Sequence, residues 1–269
     1  MPAGDERAFY SLLAALEREL SFESDFYDDA YLDRRIAARM RRSGHGSYRE
    51  YQQLLESDEQ ERRRLLDSLS ITITGFFRDP EAWETLRPVL GSLTDTRERV
   101  RLWSAPCSDG REPYSLAMLA LDDDDVDAAR IEILGTDINP DVLETARAGV
   151  YVSTHTSDIE SELGLLDDVS RYVEREEHQF RVREEVKDLV RFEQHDLIGG
   201  EPKHAFDLIL CRNLLIYMDT SYKPDVVETV RDSLRERGYL MTGMTETLPV
   251  SCRDDFEPVS KRHRIYRRT

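Results

Sequence analysis

Residues 100–121 read VRLWSAPCSDGREPYSLAMLAL, and this stretch decides the predicted fold. It begins with a short apolar run, turns at a single glycine, Gly110, and continues as a helical pattern from residue 112. A strand, a tight turn and a helix in this order open a doubly wound α/β sheet, in which ligands bind at the carboxyl ends of the strands. The three-glycine dinucleotide fingerprint is absent, which weakens the case for NAD or FAD. The alternative is an ordinary turn without a ligand.

The same rhythm continues towards the C-terminus and predicts a mostly parallel sheet. Apolar runs rich in Val, Ile, Leu and Phe alternate with helical patterns. These runs occupy residues 100–105, 131–135, 190–192 and 206–211, and the clearest helical patterns occupy residues 112–121 and 140–148. Two further runs, residues 238–243 and 263–268, predict a closing antiparallel pair. Between residues 151 and 187 the alternation of strands and helices is interrupted. There, residues 172–173 and 179–182 predict the short strands of a small inserted β subdomain.

The first 70 residues show only helical spacing of apolar side chains. The predicted division is therefore an all-α domain at residues 1–70, a linker at residues 71–90 and an α/β domain at residues 91–269, with an insertion at about 151–190. One helical segment, residues 31–42, carries five arginines and ends before a glycine-containing stop. These arginines are Arg34, Arg35, Arg39, Arg41 and Arg42.

The overall charge argues against nucleic-acid binding and indicates an environment of high salt. Lys+Arg 37 against Asp+Glu 55 gives a net charge of −18, which argues against a general nucleic-acid binder. Only four basic residues are lysines, namely Lys187, Lys203, Lys223 and Lys261. An acidic, arginine-rich and lysine-poor composition resembles that of proteins from salt-loving archaea, in which salt screens the repulsion between surface carboxylates. The sequence thus indicates a halophilic surface.

The three cysteines, Cys107, Cys211 and Cys252, are far apart and form no C-x-x-C pair, so neither a disulfide framework nor a metal site is expected. The N-terminus lacks the order of a signal peptide, and no apolar run approaches the roughly 18 residues of a membrane span. These features predict a soluble, cytoplasmic protein with no membrane insertion.

Three other segments carry candidate chemistry. In residues 135–140, GTDINP, Asp137 ends a predicted strand, where it either accepts hydrogen bonds from both hydroxyls of a ribose or caps the next helix. Residues 71–80, ITITGFFRDP, form a ligand lid or a linker, and residues 211–219, CRNLLIYMD, bring a guanidinium, an amide and a phenol to the same sheet edge. A nucleoside cofactor without a diphosphate, such as S-adenosylmethionine, fits this set of residues.

Four of these motifs, together with a C-terminal run, resemble those of CheR-type chemoreceptor glutamate methyltransferases. They are TGFFRD, SAPCSDGREPYSLAM, GTDINPDVLETA, CRNLLIYMD and GMTETL, at residues 74–79, 104–118, 135–146, 211–219 and 243–248. The resemblance covers nearly the whole chain and includes the helical N-terminal domain. It implies a Rossmann-like S-adenosylmethionine methyltransferase domain behind an all-α domain. It also implies a monomeric enzyme that methylates glutamates in the cytoplasmic helical bundle of methyl-accepting chemotaxis receptors and releases S-adenosylhomocysteine.

The resemblance also implies roles for individual residues. Cofactor contacts fall on Thr72, Thr74, Arg78, Glu112, Asp137, Asp196, Leu197, Arg212 and Asn213. Arg78 and Tyr217 match the catalytic positions nearest the transferred methyl group. The arginines of residues 34–42 lie in the domain that faces the receptor in this family and are expected to dock it; the alternative is a solvated face of a small helical domain. Arg111 departs from the family pattern because many members have a second acid there. Thr72 and Asp196 depart from it because each replaces a common asparagine.

Methylation of a glutamate needs no general base, because a carboxyl with a pKa of about 4.3 is already ionised in the cell. The main demands are positioning and dehydration of the carboxylate, which agrees with a sequence that offers no catalytic histidine dyad. The alternatives are a methyltransferase with another protein or a small molecule as its substrate, and a regulatory protein that binds S-adenosylmethionine without catalysis.

Overall fold

The computed structural model describes residues 3–20, 22, 24–69, 74–154 and 157–269. The chain divides into two compact units. The helical unit comprises residues 1–72 and 217–223, and the sheet unit comprises residues 73–216 and 224–269. None of the described helices is long and apolar enough to cross a membrane.

The described residues of the helical unit form four α-helices, as its apolar spacing predicts. They are α1 (Ala3–Leu20), α2 (Asp29–Ser43), α3 (Tyr48–Ser57) and α4 (Glu59–Leu69). The Asp28 carboxylate caps α2 by accepting a hydrogen bond from the Tyr31 N–H, and Gly44 ends the helix with a left-handed φ of 78°. One apolar stripe from each helix forms the core of this unit, with Leu12, Leu32, Ile36, Tyr51 and Leu65 at its centre.

The sheet unit begins with a helix that the sequence analysis did not predict. Its α-helices are α5 (Pro80–Thr96), α6 (Arg111–Asp122), α7 (Pro140–Ala148), α8 (Ile159–Glu162), α9 (Glu184–Lys187) and α10 (Lys223–Ser233). Pro80 fits the first turn of α5, but Pro88 lies inside the helix, where proline normally indicates a break. The predicted linker at residues 71–90 therefore includes the first part of a helix, and Trp83 and Leu86 of that part are fully buried.

In the part of the chain that the structure describes, ten strands form two sheets. The strands are β1 (Val100–Ser104), β2 (Ile131–Asp137), β3 (Val150–Val152), β4 (Val173–Glu176), β5 (Gln179–Val182), β6 (Val190–Gln194), β7 (Phe206–Cys211), β8 (Leu234–Thr242), β9 (Phe256–Ser260) and β10 (Ile265–Arg268). The large sheet has the order β6-β2-β1-β7-β8-β10-β9, and its first five strands are parallel. The predicted doubly wound architecture is thus confirmed.

The predicted antiparallel elements are also present, each with one additional strand. β10 pairs antiparallel with β8, and β9 adds an edge strand that the sequence analysis did not predict. The inserted subdomain is an antiparallel sheet of order β3-β5-β4, in which β3 is the additional strand. Alternate residues of β1, β2 and β7, such as Leu102, Ile133 and Leu208, face a core that they share with α5 and α6.

Candidate functional site

The strand order places the candidate site at a switch point of the sheet. From β1 the chain proceeds outwards through β2 to β6, whereas from β7 it proceeds in the opposite direction to β8. In an open α/β sheet, the crevice beyond the carboxyl ends of the strands at such a reversal is the usual ligand site. The segments that follow β1, β2, β6 and β7 carry Glu112, Asp137, Asp196 and Arg212, all of which the sequence analysis selected.

Asp137 orders the turns that follow both β1 and β2. One of its carboxylate oxygens accepts a hydrogen bond from the Ser108 N–H at 2.9 Å, and the other accepts one from the Asn139 N–H at 3.0 Å. Burial raises the pKa of Asp137, and these N–H groups oppose that rise. The helix-cap alternative is wrong, because the Asn139 side chain caps α7. Each oxygen of Asp137 keeps capacity to accept a second hydrogen bond.

The turn after β1 requires glycine. Gly110 has a φ of 90°, and a Cβ atom at this position would lie 2.7 Å from the Cβ of Ala146. Both constraints exclude a larger residue. Because α6 begins directly after Gly110, Glu112 lies in the first turn of the helix.

Arg212 joins three of the predicted motifs within the sheet unit. Its Nη2 donates to the backbone carbonyl of Arg78 and to the Asp79 carboxylate, both at 2.8 Å, and its Nη1 donates to Glu112 Oε2 at 3.2 Å. The Arg212 side chain is only 1% exposed, and its guanidinium lies 5.6 Å from the centre of the Trp83 ring. A buried charge in this position holds the residues after β7, the first turn of α6 and the RD pair in one arrangement.

Glu112 is the acidic partner of this buried pair. Its second oxygen accepts a hydrogen bond from Ser104 Oγ at 2.8 Å. Burial raises the pKa of Glu112, whereas the positive charge of Arg212 and the Ser104 hydrogen bond favour the ionised form. The sequence analysis selected neither Ser104 nor Asp79 as a site residue, because their roles depend on contacts across the sheet edge.

Glu246 also contributes to this site, although it was not among the site residues predicted from the sequence. One of its oxygens accepts hydrogen bonds from the backbone N–H groups of Asn213 at 2.8 Å and Gly243 at 2.6 Å. A Cβ on Gly243 would lie 2.7 Å from Asn213 Nδ2, so only glycine permits this approach. Glu246 thus fixes the backbone of Asn213, which has a φ of 60°. The sequence contained a clue to this role, since Glu246 belongs to the GMTETL motif that resembles the family.

The segment after β6 approaches Asp137 through the backbone. The His195 N–H donates to the Asp137 carbonyl at 3.1 Å, and the Asp196 carboxylate accepts a hydrogen bond from the Ile198 N–H at 2.8 Å. Leu197, the next residue in the chain, is buried. Asp196 therefore keeps one carboxylate oxygen that does not bind its own turn.

The TGFFRD loop is anchored by two side chains from elsewhere in the sheet unit. The Phe76 N–H donates to Glu162 Oε2 and the Phe77 N–H donates to Ser115 Oγ, both at 2.9 Å. Arg111 forms ion pairs with Glu162 at 3.5 Å and with Asp109 at 2.9 Å. The basic residue at position 111 therefore compensates two acids near the loop.

The remaining predicted site residues fall into three groups. Thr74 and Arg78 are half-buried in the loop, and the Arg78 carbonyl also accepts a hydrogen bond from Trp83 Nε1 at 2.9 Å. Thr72 lies outside the described residues. Tyr217 belongs to the helical unit, where its ring packs 4.8 Å from the ring of Tyr31.

The five arginines predicted to dock a receptor are not equivalent. Arg34, Arg41 and Arg42 are exposed, and the guanidinium of Arg35 lies 5.4 Å from the centre of the Tyr31 ring. The prediction for Arg39 needs correction. Its guanidinium makes two hydrogen bonds of 2.6 Å to Glu61, whose side chain is 4% exposed, so Arg39 stabilises the interior of the helical unit.

Comparison with known proteins identifies the family. Residues 72–265 match the family model described as CheR methyltransferase, SAM binding domain, and residues 7–70 match CheR methyltransferase, all-alpha domain. The chain belongs to the CheR methyltransferase family. The sequence prediction of that family is thereby confirmed.

Several CheR relatives are similar over most of their length. A chemotaxis protein methyltransferase of Listeria innocua is 29% identical, and one of Listeria monocytogenes is 30% identical, with 90% of this chain and 91% of each relative covered. A chemotaxis protein methyltransferase of Escherichia coli is 30% identical, with 79% of this chain and 74% of the relative covered.

The CheR cofactor, S-adenosylmethionine, fits the polar atoms at this edge. Among the described residues, five buried side-chain atoms without a hydrogen-bond partner follow or end strands β1, β6, β7 and β8. They are Ser108 Oγ, His195 Nε2, Arg212 Nε, Thr242 Oγ1 and Glu246 Oε1. Buried polar atoms without partners are rare in folded proteins, and a polar ligand would satisfy such a group. Together with the acceptor capacity of Asp137, they suit a cofactor with ribose hydroxyls and an amino-acid group.

Proposed function

We propose that this chain transfers the methyl group of S-adenosylmethionine to glutamate side chains of methyl-accepting chemotaxis receptors. The products are glutamate methyl esters, which serve chemotactic adaptation, and S-adenosylhomocysteine. Membership of the CheR family supports the reaction class. The observation that carries the proposal for this chain is the Arg212 cluster with Glu112 and Asp79 at the same sheet edge as Asp137.

The proposed cofactor contacts are those that the family motifs indicate. Asp137 accepts hydrogen bonds from the ribose hydroxyls, for which its two oxygens retain capacity. The free oxygen of Asp196 accepts a hydrogen bond on the adenine side. The other proposed contacts are Thr72, Thr74, Arg78, Glu112, Leu197, Arg212 and Asn213.

The chemistry requires orientation of an anion. When bound, S-adenosylmethionine supplies an electrophilic methyl group on a positively charged sulfur. S-adenosylhomocysteine, a neutral thioether, is the good leaving group. Arg78 and Tyr217 are the proposed catalytic residues: the guanidinium attracts the acceptor carboxylate, and the phenol donates a hydrogen bond that fixes its orientation. Because the glutamate is already ionised, no side chain needs to remove a proton.

Methyl labelling of receptor-containing membranes tests this function. The protein and S-adenosylmethionine tritiated in its methyl group should label these membranes, and mild base should release the label because it is an ester. An Arg78→Ala variant provides the inactive control. A label that resists base would contradict ester formation, and an absence of label would contradict receptor methylation.

Asp137→Asn should weaken cofactor binding more than about tenfold, because one charge-assisted acceptor contributes roughly 1.5–3 kcal/mol. Titration calorimetry with S-adenosylhomocysteine measures the affinity. Asp141→Asn is the matched control, since Asp141 is exposed in the first turn of α7. Unchanged affinity for Asp137→Asn, or an equal loss in the control, would contradict the ribose assignment.

The proposed receptor-docking surface consists of Arg34, Arg35, Arg41 and Arg42 on α2. Charge reversal with Arg41→Glu and Arg42→Glu should raise the KM for receptor at least about tenfold at low salt, because close contacts between opposite charges are lost. The control pair, Arg49→Glu and Arg63→Glu, makes the same change of charge on exposed positions of α3 and α4. Equal effects of both pairs would show that net charge alone matters.

We further propose that the protein acts as a monomer in the cytoplasm of a halophilic archaeon, at high salt. The halophilic part of this proposal rests on the net charge of −18 and on the scarcity of lysine, whereas the monomeric state and the location follow the resemblance to the family. Raising KCl from 0.1 M to 2 M should increase the Tm, since screening shortens from about 10 Å to below 3 Å and removes repulsion between surface carboxylates. A Tm that falls over this range would contradict the halophilic assignment.

A further inference from the structure

A short segment after β7 is held by the helical unit. Residues 217–223, here called the Tyr217 segment, begin at the last residue of the turn Leu215–Tyr217. The Asp28 N–H donates to the Tyr217 carbonyl at 3.0 Å, and the Asp219 N–H donates to the Phe26 carbonyl at 3.0 Å. These bonds are those of a short antiparallel pairing, and they fix the backbone of Tyr217 against the residues that precede α2.

The ring of Tyr217 has its own support on α2. Its centroid lies 4.8 Å from that of Tyr31, at an interplanar angle of 50°. Tyr31 is 2% exposed, and its hydroxyl donates to the Leu69 carbonyl at 2.9 Å. The Tyr31 ring is therefore fixed at both ends, by the backbone of α2 and by this hydrogen bond.

We propose that Tyr31 is a positioning residue for the phenol of Tyr217. The proposal rests on the proposed catalytic role of Tyr217. A hydroxyl that orients a carboxylate needs a side chain held within about 0.5 Å, and packing against a fixed neighbour restricts a half-buried ring in this way. Tyr31 supplies this neighbour, since its own orientation is set by the Leu69 hydrogen bond.

The position of Leu69 extends the role of Tyr31. Leu69 is the last residue of α4, five residues before the TGFFRD motif begins at Thr74. Within the helical unit, Tyr31 thus contacts both the Tyr217 ring and the last residue of α4. Tyr31 begins the arginine-rich segment of residues 31–42, but the sequence assigned it no role, because its contacts join segments that are far apart in the chain.

Steady-state kinetics with saturating S-adenosylmethionine and a range of receptor concentrations tests the proposal. Tyr31→Leu should lower kcat at least about tenfold, because small displacements of a positioning group have large effects on rate. The affinity for S-adenosylhomocysteine should stay within about twofold by calorimetry, since Tyr31 is not among the proposed cofactor contacts. Tyr31→Phe keeps the ring but loses the Leu69 hydrogen bond, so its kcat should lie between that of the parent and that of Tyr31→Leu. A change in receptor KM without a change in kcat would assign Tyr31 to docking and overturn the proposal.

A double-mutant cycle separates positioning from general stabilisation. In a Tyr217→Phe background, Tyr31→Leu should lower kcat less than about twofold, because the hydroxyl to be positioned is already absent. Independent, additive losses would overturn the proposal. If Tyr217→Phe keeps the parental kcat, the catalytic role of Tyr217 fails, and positioning fails with it. If Tyr217→Phe loses activity while Tyr31→Leu keeps it, only the positioning role fails.

A spectroscopic measurement covers the case in which Tyr31→Leu does not fold. In that case Tyr31→Met, which also removes the ring, is used in place of Tyr31→Leu. The protein is labelled with 3-fluorotyrosine and observed by fluorine NMR. The fluorine signal of Tyr217 is assigned by its loss in Tyr217→Phe. Removal of the Tyr31 ring should shift and broaden this signal, and an unchanged signal would overturn the proposal.

Discussion

Replacement of Arg212 by Met should abolish most receptor methylation, with a loss of more than about a hundredfold, and should destabilise the sheet unit. Arg212 is the cation that faces the buried Glu112 carboxylate, and it also binds the Arg78 carbonyl and Asp79. Removal of one partner from a buried ion pair costs about 3–5 kcal/mol, because the remaining charge is left without compensation. The loss also releases the loop that carries the proposed catalytic Arg78.

Methylation rates, S-adenosylhomocysteine affinity and denaturant unfolding measure this effect. Arg212→Lys keeps the charge but not the planar fork, so its activity should lie between that of the parent and that of Arg212→Met. Arg253→Met is the control, because Arg253 is exposed in the same unit and should change stability by less than about 0.5 kcal/mol. Parental methylation by Arg212→Met would contradict the proposed site.

Arg39→Met should destabilise the helical unit by about 3 kcal/mol, the lower end of the cost of leaving one partner of a buried ion pair. Glu61 is 4% exposed, and among the described residues it keeps only the Tyr51 hydroxyl at 2.9 Å and Arg64 at 3.8 Å once Arg39 is removed. Arg41→Met, at an exposed position of α2, should cost less than about 0.5 kcal/mol. Urea unfolding followed by circular dichroism measures both values.

A double-mutant cycle and a pH series test the cause. Arg39→Met combined with Glu61→Leu should cost less than the sum of the single changes, since no buried charge remains unpaired. Arg39 holds the pKa of Glu61 below its ordinary value. A lowered pKa stabilises the fold at a pH above the unfolded value, about 4.3, and this contribution disappears as pH falls through the folded pKa. The stability difference between the parent and Glu61→Leu should therefore shrink below about pH 4. A constant difference would contradict the ion-pair account.

Much of the fold was predictable from the sequence, because apolar periodicity is a local property. The alternation of short apolar runs with helical patterns predicted the strands β1, β2, β6 and β7 and a mostly parallel sheet. The helix α5 was not predicted, since Pro88 interrupts its pattern and only burial against the sheet stabilises it. The short strands β3 and β9 were not predicted either, because three to five residues carry too weak a period.

For the site, the sequence by itself determined which chemical groups stand at the strand ends, namely Glu112, Asp137 and Arg212. Only the tertiary structure decided how these groups are paired. It assigned Arg39 to the buried Glu61 rather than to a docking surface, and it placed Tyr31 against Tyr217. The physical reason is that motifs record residue types along the chain, whereas the partner of a buried charge or ring comes from a distant segment. A sequence can therefore show where a carboxylate lies on its strand, and folding selects the cation that compensates it.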